Sequence, residues 1–255
     1  MGDRREPILN LPASVTATLI VLFAIHAVRD FALASQTDRL VLLLFAFVPA
    51  RFDPSILPGG GWPGGAGAEV WTFVTYALLH GSWTHLIFNS IWLLPFGSAL
   101  ARRFGALRFA VFLAATAAAG ALVHLCLYRR DGALLIGASA AVSGTMAATV
   151  RFAFQKGGPL GMLRGDGNEA FRVPAEPFLT ALRNPSLLWF FGIWFGLNAL
   201  EGLGALSMFG EAGVAWEAHI GGFLAGLVLF ALLDPVPAAS SQGRGGGGGA
   251  APTHT

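Results

Sequence analysis

The chain has 255 residues, 55% of them hydrophobic and only 12% charged, with a formal net charge of +2 and a mean hydropathy of +0.63. That balance is too apolar for a soluble domain of this size and indicates a polytopic membrane protein. It argues against a nucleic-acid surface, because the few basic residues do not interleave with aromatic ones, and a lone cysteine, Cys126, rules out an internal disulfide.

A crossing needs roughly 20 apolar residues for ~30 Å of hydrocarbon. Six segments meet that need: 14–33, 83–101, 106–127, 133–152, 185–204 and 212–233. The expected fold is an all-α polytopic membrane protein in three parts. These are a short N-terminal cytoplasmic segment (1–13), a six-helix membrane domain (14–233) and a flexible tail rich in Pro and Gly (234–255).

The first segment has no short apolar region followed by a small-residue cleavage site, so it reads as a retained helix. It holds His26, with no partner apparent in the sequence, and ends near Arg29-Asp30, which reads as an ion pair or solvated pair at the membrane edge. Residues 34–82 form a long connection that is only partly polar. Leu40–Val48 is too short to span; Pro49, Pro54, Pro58 and Gly59-Gly60-Gly61 follow, then apolar Val70–Leu79. Such runs suit a structure that dips into the outer leaflet or lies along it, and two plain amphipathic surface helices suit the pattern equally.

The second segment places His85 and Asn89 on one helical face at i, i+4. In the third, His124 and Cys126 read as a packed imidazole and a buried thiol. The fourth carries Ser139 in a small stripe with Ala140, Ser143, Gly144 and Ala147. The loop after it holds Arg164-Gly165-Asp166-Gly167, a turn. Trp189, Phe190, Phe191, Trp194 and Phe195 crowd the fifth. On the sixth, His219 shares a face with the Gly222/Gly226 pair, a spacing that lets helices approach closely.

Charge sets the orientation. With the N-terminus cytoplasmic, that side gathers eleven of the sixteen basic residues, against five opposite, so the positive-inside rule puts both termini in the cytoplasm. Ser139 and His219 then enter from the outer face at about 9–10 Å depth, at the 1.5 Å rise per residue, in one layer with His85 and Asn89. Polar groups at such depth are costly, and their default reading is a functional site.

A serine and a histidine in one layer can act as nucleophile and general base. His219 would take the Ser139 proton, Ser139 would attack a peptide carbonyl, and His219 would return the proton to the leaving amine. The oxyanion would be met by the Ser139 backbone N–H, the Asn89 amide and the His85 imidazole. Glu217, two residues before His219, should point to another face, so the expected catalytic unit is a Ser-His dyad. There is no His-Glu-x-x-His site and no aspartate pair within the spans, so neither zinc nor aspartic chemistry is expected, nor any metal or cofactor. A small-molecule transporter is a third and weaker reading, since it would call for intramembrane carboxylates or inverted halves with broken helices, and the spans offer neither clearly.

Three stretches together resemble the motifs of the rhomboid family of intramembrane serine proteases: Thr75 to Asn89, Gly137-Ala138-Ser139, and Ala218 to Gly226. The resemblance covers about 14–233. It implies a six-transmembrane-helix rhomboid core in which Ser139 is the nucleophile and His219 the base, with His85 and Asn89 in the oxyanion hole. It further implies a membrane-embedded first loop in which His80 is a structural hydrogen-bond partner. A cap at 205–211 and a substrate entry lined by the fifth helix complete the picture. Substrates would be membrane proteins cut in or near their transmembrane segments, toward the outer face. The high Ala and Gly content and the compact six-span layout suggest a bacterial inner membrane, with an organelle membrane as the alternative. The chain departs from the family pattern twice. Ala140 stands where Gly-x-Ser-Gly has its last glycine, and Trp71 is followed by Thr72 in place of arginine. The alternative implied by Ala140 is a proteolytically silent relative that binds membrane helices.

Overall fold

The computed structural model describes residues 11–56, 61–160, 167–203 and 215–237. Among them the chain is all-helical: α1 Ala13–Phe31, α2 Ser35–Phe45, α3 Gly65–Thr75, α4 Trp83–Trp92, α5 Ser98–Leu127, α6 Ser139–Ala153, α7 Phe178–Ala181, α8 Pro185–Gly202 and α9 Trp216–Leu233. The expected cap at 205–211, the glycines Gly59 and Gly60, most of the Arg164–Gly167 turn and the tail beyond 237 lie outside the described residues.

Three stretches are long and apolar enough to cross a membrane: Ala13–Phe31, Trp83–Leu127 and Trp216–Leu233. The second, at 45 residues, folds back on itself. Helix α4 runs through a π turn at Leu93–Gly97 into α5; the wider turn accommodates Pro95, which has no N–H to donate. At Gly105 the backbone leaves helical geometry (φ 75°, ψ 170°), a conformation open to glycine. A side chain built on Gly97 would lie 3.5 Å from the Phe109 ring. In a straight helix those residues would be roughly 18 Å apart. The chain therefore reverses at Gly105, between the expected segments 83–101 and 106–127. Helix α6, with 15 residues, and α8, whose 18 include Asn198 and Glu201, do not reach the same length and apolarity.

Helix α6 is the hub. Every residue from Ala140 to Val150 is buried, and α6 packs against both α9 and α5. It is shorter than the expected span 133–152, because residues 133–138 are not helical. Gly137 has φ +121°, and the preceding backbone is bonded elsewhere. Leu135 and Phe47 exchange N–H···O bonds (2.8 and 3.1 Å), and Gly137 N–H donates to Tyr76 O (3.1 Å). The helix thus begins at Ser139, with no six-residue lead-in.

The long first connection is the partner in those bonds. Ala46–Arg51 is a continuous buried run in contact with α2 through Leu43 and with α3 through Phe73, and Ala50 N–H donates to Asp131 O. Arg51 supplies an internal anchor despite the absence of arginine after Trp71. Its guanidinium donates to the carbonyls of Pro63 (2.8 Å) and Leu43 (2.5 Å), while Trp71 Nε1 donates to Leu44 O (2.8 Å). The connection braces the strand-like approach to Ser139.

Candidate active site

Ser139 is the first residue of α6, where the opening backbone N–H groups have no partner one turn back and the helix dipole is positive. The turn that delivers it depends on Gly137. Its positive φ disfavours other residues, and a Cβ there would lie 2.6 Å from His85 Cε1, 2.7 Å from His85 Nε2 and 3.7 Å from Ser139 Oγ. The His85 ring and the Ser139 hydroxyl therefore converge on one point in front of Gly137.

His85 is placed by a helix cap. Ser82 Oγ accepts its backbone N–H (3.1 Å), fixing His85 in the first turn of α4. Asn89 is buried one turn later and donates to His85 O (3.2 Å). His80 is fully buried, its ring 5.1 Å from that of His85, and its Nε2 accepts from Ala138 N–H at a long 3.5 Å. Burial holds the His80 pKa down at about 3, with the nearby His85 ring the next cause. Its main chain is tied as well: Arg29 donates to His80 O (2.8 Å).

His219 is the fourth residue of α9, and that helix meets α6 backbone to backbone. A side chain on Gly222 would collide with the Ala140 carbonyl, and one on Gly226 with the Gly144 carbonyl. This close approach, of the kind small residues permit, sets His219 and Ser139 at the same end of the pair. Ser139 Oγ and His219 are not hydrogen-bonded to each other among the described residues. Catalytic hydrogen bonds are often long without substrate and tighten in the complex.

Ala140 occupies space made for it. It is buried, and a Cβ added to Gly120 of α5 would lie 2.5 Å from the Ala140 methyl. Glycine on α5 therefore accommodates the methyl that the family pattern lacks on α6.

Other polar residues find partners that the sequence did not reveal. His124 Nδ1 and Glu217 Oε1 lie 2.5 Å apart, both buried, which turns Glu217 away from His219. Arg29 pairs with Asp38 (2.7 Å), not with Asp30, which accepts from Trp83 Nε1 (2.9 Å). His26 packs edge-on against Trp83 at 4.6 Å. Cys126 is exposed, not buried: two residues past the inward-facing His124, it lies about 200° round the helix. Among the described residues no group of three or more His, Cys, Asp or Glu could hold a metal ion.

The residue missed in the sequence is Asn198 of α8. Its Oδ1 lies 2.8 Å from His219 Nδ1, and it is buried. A polar amide in an apolar helix is itself a signal of function or pairing, but nothing in the sequence names its partner.

Comparison with known proteins places the chain in a family. The Rhomboid domain model matches residues 67–235, more than half of the chain and the region that holds every candidate site residue. The chain is also similar to the rhomboid protease GlpG of Enterobacter sp. (strain 638), 25% identical over 190 residues, 74% of this chain and 58% of that protein. It thus spans less than two thirds of that relative's length. With its long apolar helices, the chain is an integral membrane protein and belongs to the rhomboid family.

Proposed function

We propose that the protein is an intramembrane serine endopeptidase that cuts other membrane proteins in or near their transmembrane segments. The observation that carries this reading is the convergence of Ser139 Oγ and the His85 ring at Gly137, at the N-terminus of a helix locked to the one bearing His219. His219 removes the Ser139 proton as Oγ bonds to the peptide carbon. The oxyanion is held by the α6 N-terminal amide, His85 and Asn89. The C–N bond breaks as His219 protonates the amine, and water, activated by His219, then releases the acyl group. Gly137, Ala140, Gly222, Gly226 and His80 shape the site without touching the reacting atoms. Six crossings of a bacterial inner membrane, both termini cytoplasmic, with 14–233 as the membrane domain, complete the reading.

Purified protein in detergent, given a labelled transmembrane substrate, tests it. Cleavage should vanish in Ser139→Ala and His219→Ala, and fall by about 10²–10³ when one oxyanion donor is lost in His85→Ala or Asn89→Ala. Cleavage that survives Ser139→Ala would reject the mechanism. No cleavage by the wild type across several substrates would favour the silent, helix-binding alternative. The accommodation of Ala140 by Gly120 weighs against that outcome.

A further inference from the structure

A histidine that serves as a base through Nε2 must carry its proton on Nδ1, and some neighbouring acceptor has to hold that tautomer in place. In this chain the group facing Nδ1 is a neutral amide. Asn198 Oδ1 lies 2.8 Å from His219 Nδ1, and which end of the amide faces the ring is fixed by a second bond. Asn198 Nδ2 donates to Trp194 O, one turn earlier on α8, at 2.8 Å. With the NH2 end committed there, the end turned to His219 is the carbonyl, which can only accept. Nδ1 is therefore the donor and Nε2 is left with its lone pair.

The register of the two helices holds this pair. On one side of it, Trp194 stacks on Phe223 with ring centroids 4.3 Å apart. On the other, Gly202 lies beneath Trp216, where a side chain would come within 2.8 Å of the indole. Residues 194, 198 and 202 of α8 thus face 223, 219 and 216 of α9 at one-turn intervals, and Asn198 is clamped opposite His219 from both sides. The other titratable groups acting on the ring are His85 and Glu217, and Glu217 is committed to His124.

Resting on the proteolytic reading for its catalytic meaning, we infer that Asn198 is a positioning residue for His219: it fixes the Nδ1–H tautomer and the ring orientation, so that Nε2 is presented as the base.

Nitrogen-15 NMR of the full chain with labelled histidine tests this without reference to proteolysis, the His219 signals being identified by their loss in His219→Gln. Wild type should show a protonated Nδ1 and a bare Nε2. Asn198→Leu, similar in volume but with no acceptor, should lose that preference, and Asn198→Asp should keep it. A wild-type Nε2–H tautomer, or an unchanged Nδ1–H in Asn198→Leu, overturns the inference. If Asn198→Leu does not fold, the wild-type tautomer alone decides. In cleavage assays Asn198→Leu should lower kcat at least about tenfold with KM little changed. Asn198→Asp should move the acid limb of kcat/KM to higher pH, because a carboxylate at Nδ1 favours the imidazolium. Wild-type kcat in Asn198→Leu overturns the inference too. Absence of any cleavage would instead reject the proteolytic reading and leave the tautomer result standing.

Discussion

His80 holds the turn before Ser139 with a ring that must stay neutral. Its Nε2 accepts from Ala138 N–H, which a protonated ring cannot do, and burial keeps its folded pKa at about 3 against the ordinary 6.5. The unfolded chain therefore binds the extra proton between those values. The contribution to stability is complete above pH 6.5 and is lost progressively as pH falls toward 3. Between pH 6.5 and 5 this amounts to about 2 kcal/mol for one fully linked proton. Thermal unfolding in detergent at pH 7 and pH 5 should show wild type losing more stability than His80→Gln, and equal losses would show that His80 does not carry the linkage. At this scale the sequence is informative where residues recur in a fixed pattern. The spacing of His80, His85 and Asn89, and the phase of His219 with Gly222 and Gly226, can be read directly. Asn198 cannot, because its meaning depends on the register between α8 and α9, which no local spacing encodes.

Among the elements, α6 is the one whose limits the sequence misreads. Ala133 to Ile136 are as apolar as a helix interior, and only the bridge to Phe47 and the positive φ of Gly137 turn them into an extended approach. Apolarity by itself does not separate buried strand from buried helix. The reversal at Gly105, by contrast, falls in the narrow gap between two segments that hydropathy already separates. Packing between elements is also reciprocal in a way single positions conceal: Ala140 looks like a defect until Gly120 is seen facing it. Placing a methyl on Gly120 would set it 2.5 Å from the Ala140 methyl and 2.8 Å from Ala218 O. Gly120→Ala should therefore destabilise the fold by about 1–3 kcal/mol through overpacking. Adding Ala140→Gly to Gly120→Ala should recover part of that loss, by removing one of the two colliding groups. Chemical unfolding of the two single variants and the double measures the coupling. Strict additivity would show that the methyls do not compete for this space.

For the whole molecule, the closing contact is electrostatic and joins distant parts of the chain. Arg103, near the Gly105 reversal, makes two bonds to Asp234 just beyond α9 (2.8 and 2.7 Å) and donates to Phe171 O and Val173 O (both 2.9 Å). Its guanidinium lies over the rings of Phe152 of α6 and Phe230 of α9, 4.6 and 5.3 Å from their centroids. In the sequence Arg103 is one of several basic residues that set orientation. In the structure its side chain is completely buried, and one cation ties the hairpin, the segment after α6, and the end of α9. Removing one partner of a buried pair leaves the other uncompensated and costs about 3–5 kcal/mol. Arg103→Ala should lose at least that much, since it also strands the Phe171 and Val173 carbonyls, whereas Asp234→Asn, which keeps an acceptor, should lose less. The same contact lies far along α9 from His219, some 15 residues and roughly 22 Å at 1.5 Å per residue. Under conditions where each variant remains folded, cleavage by Asp234→Asn should therefore match wild type in kcat while its unfolding midpoint falls. A drop in kcat at an unchanged midpoint would mean that this end of the bundle communicates with the site and does more than hold the fold closed.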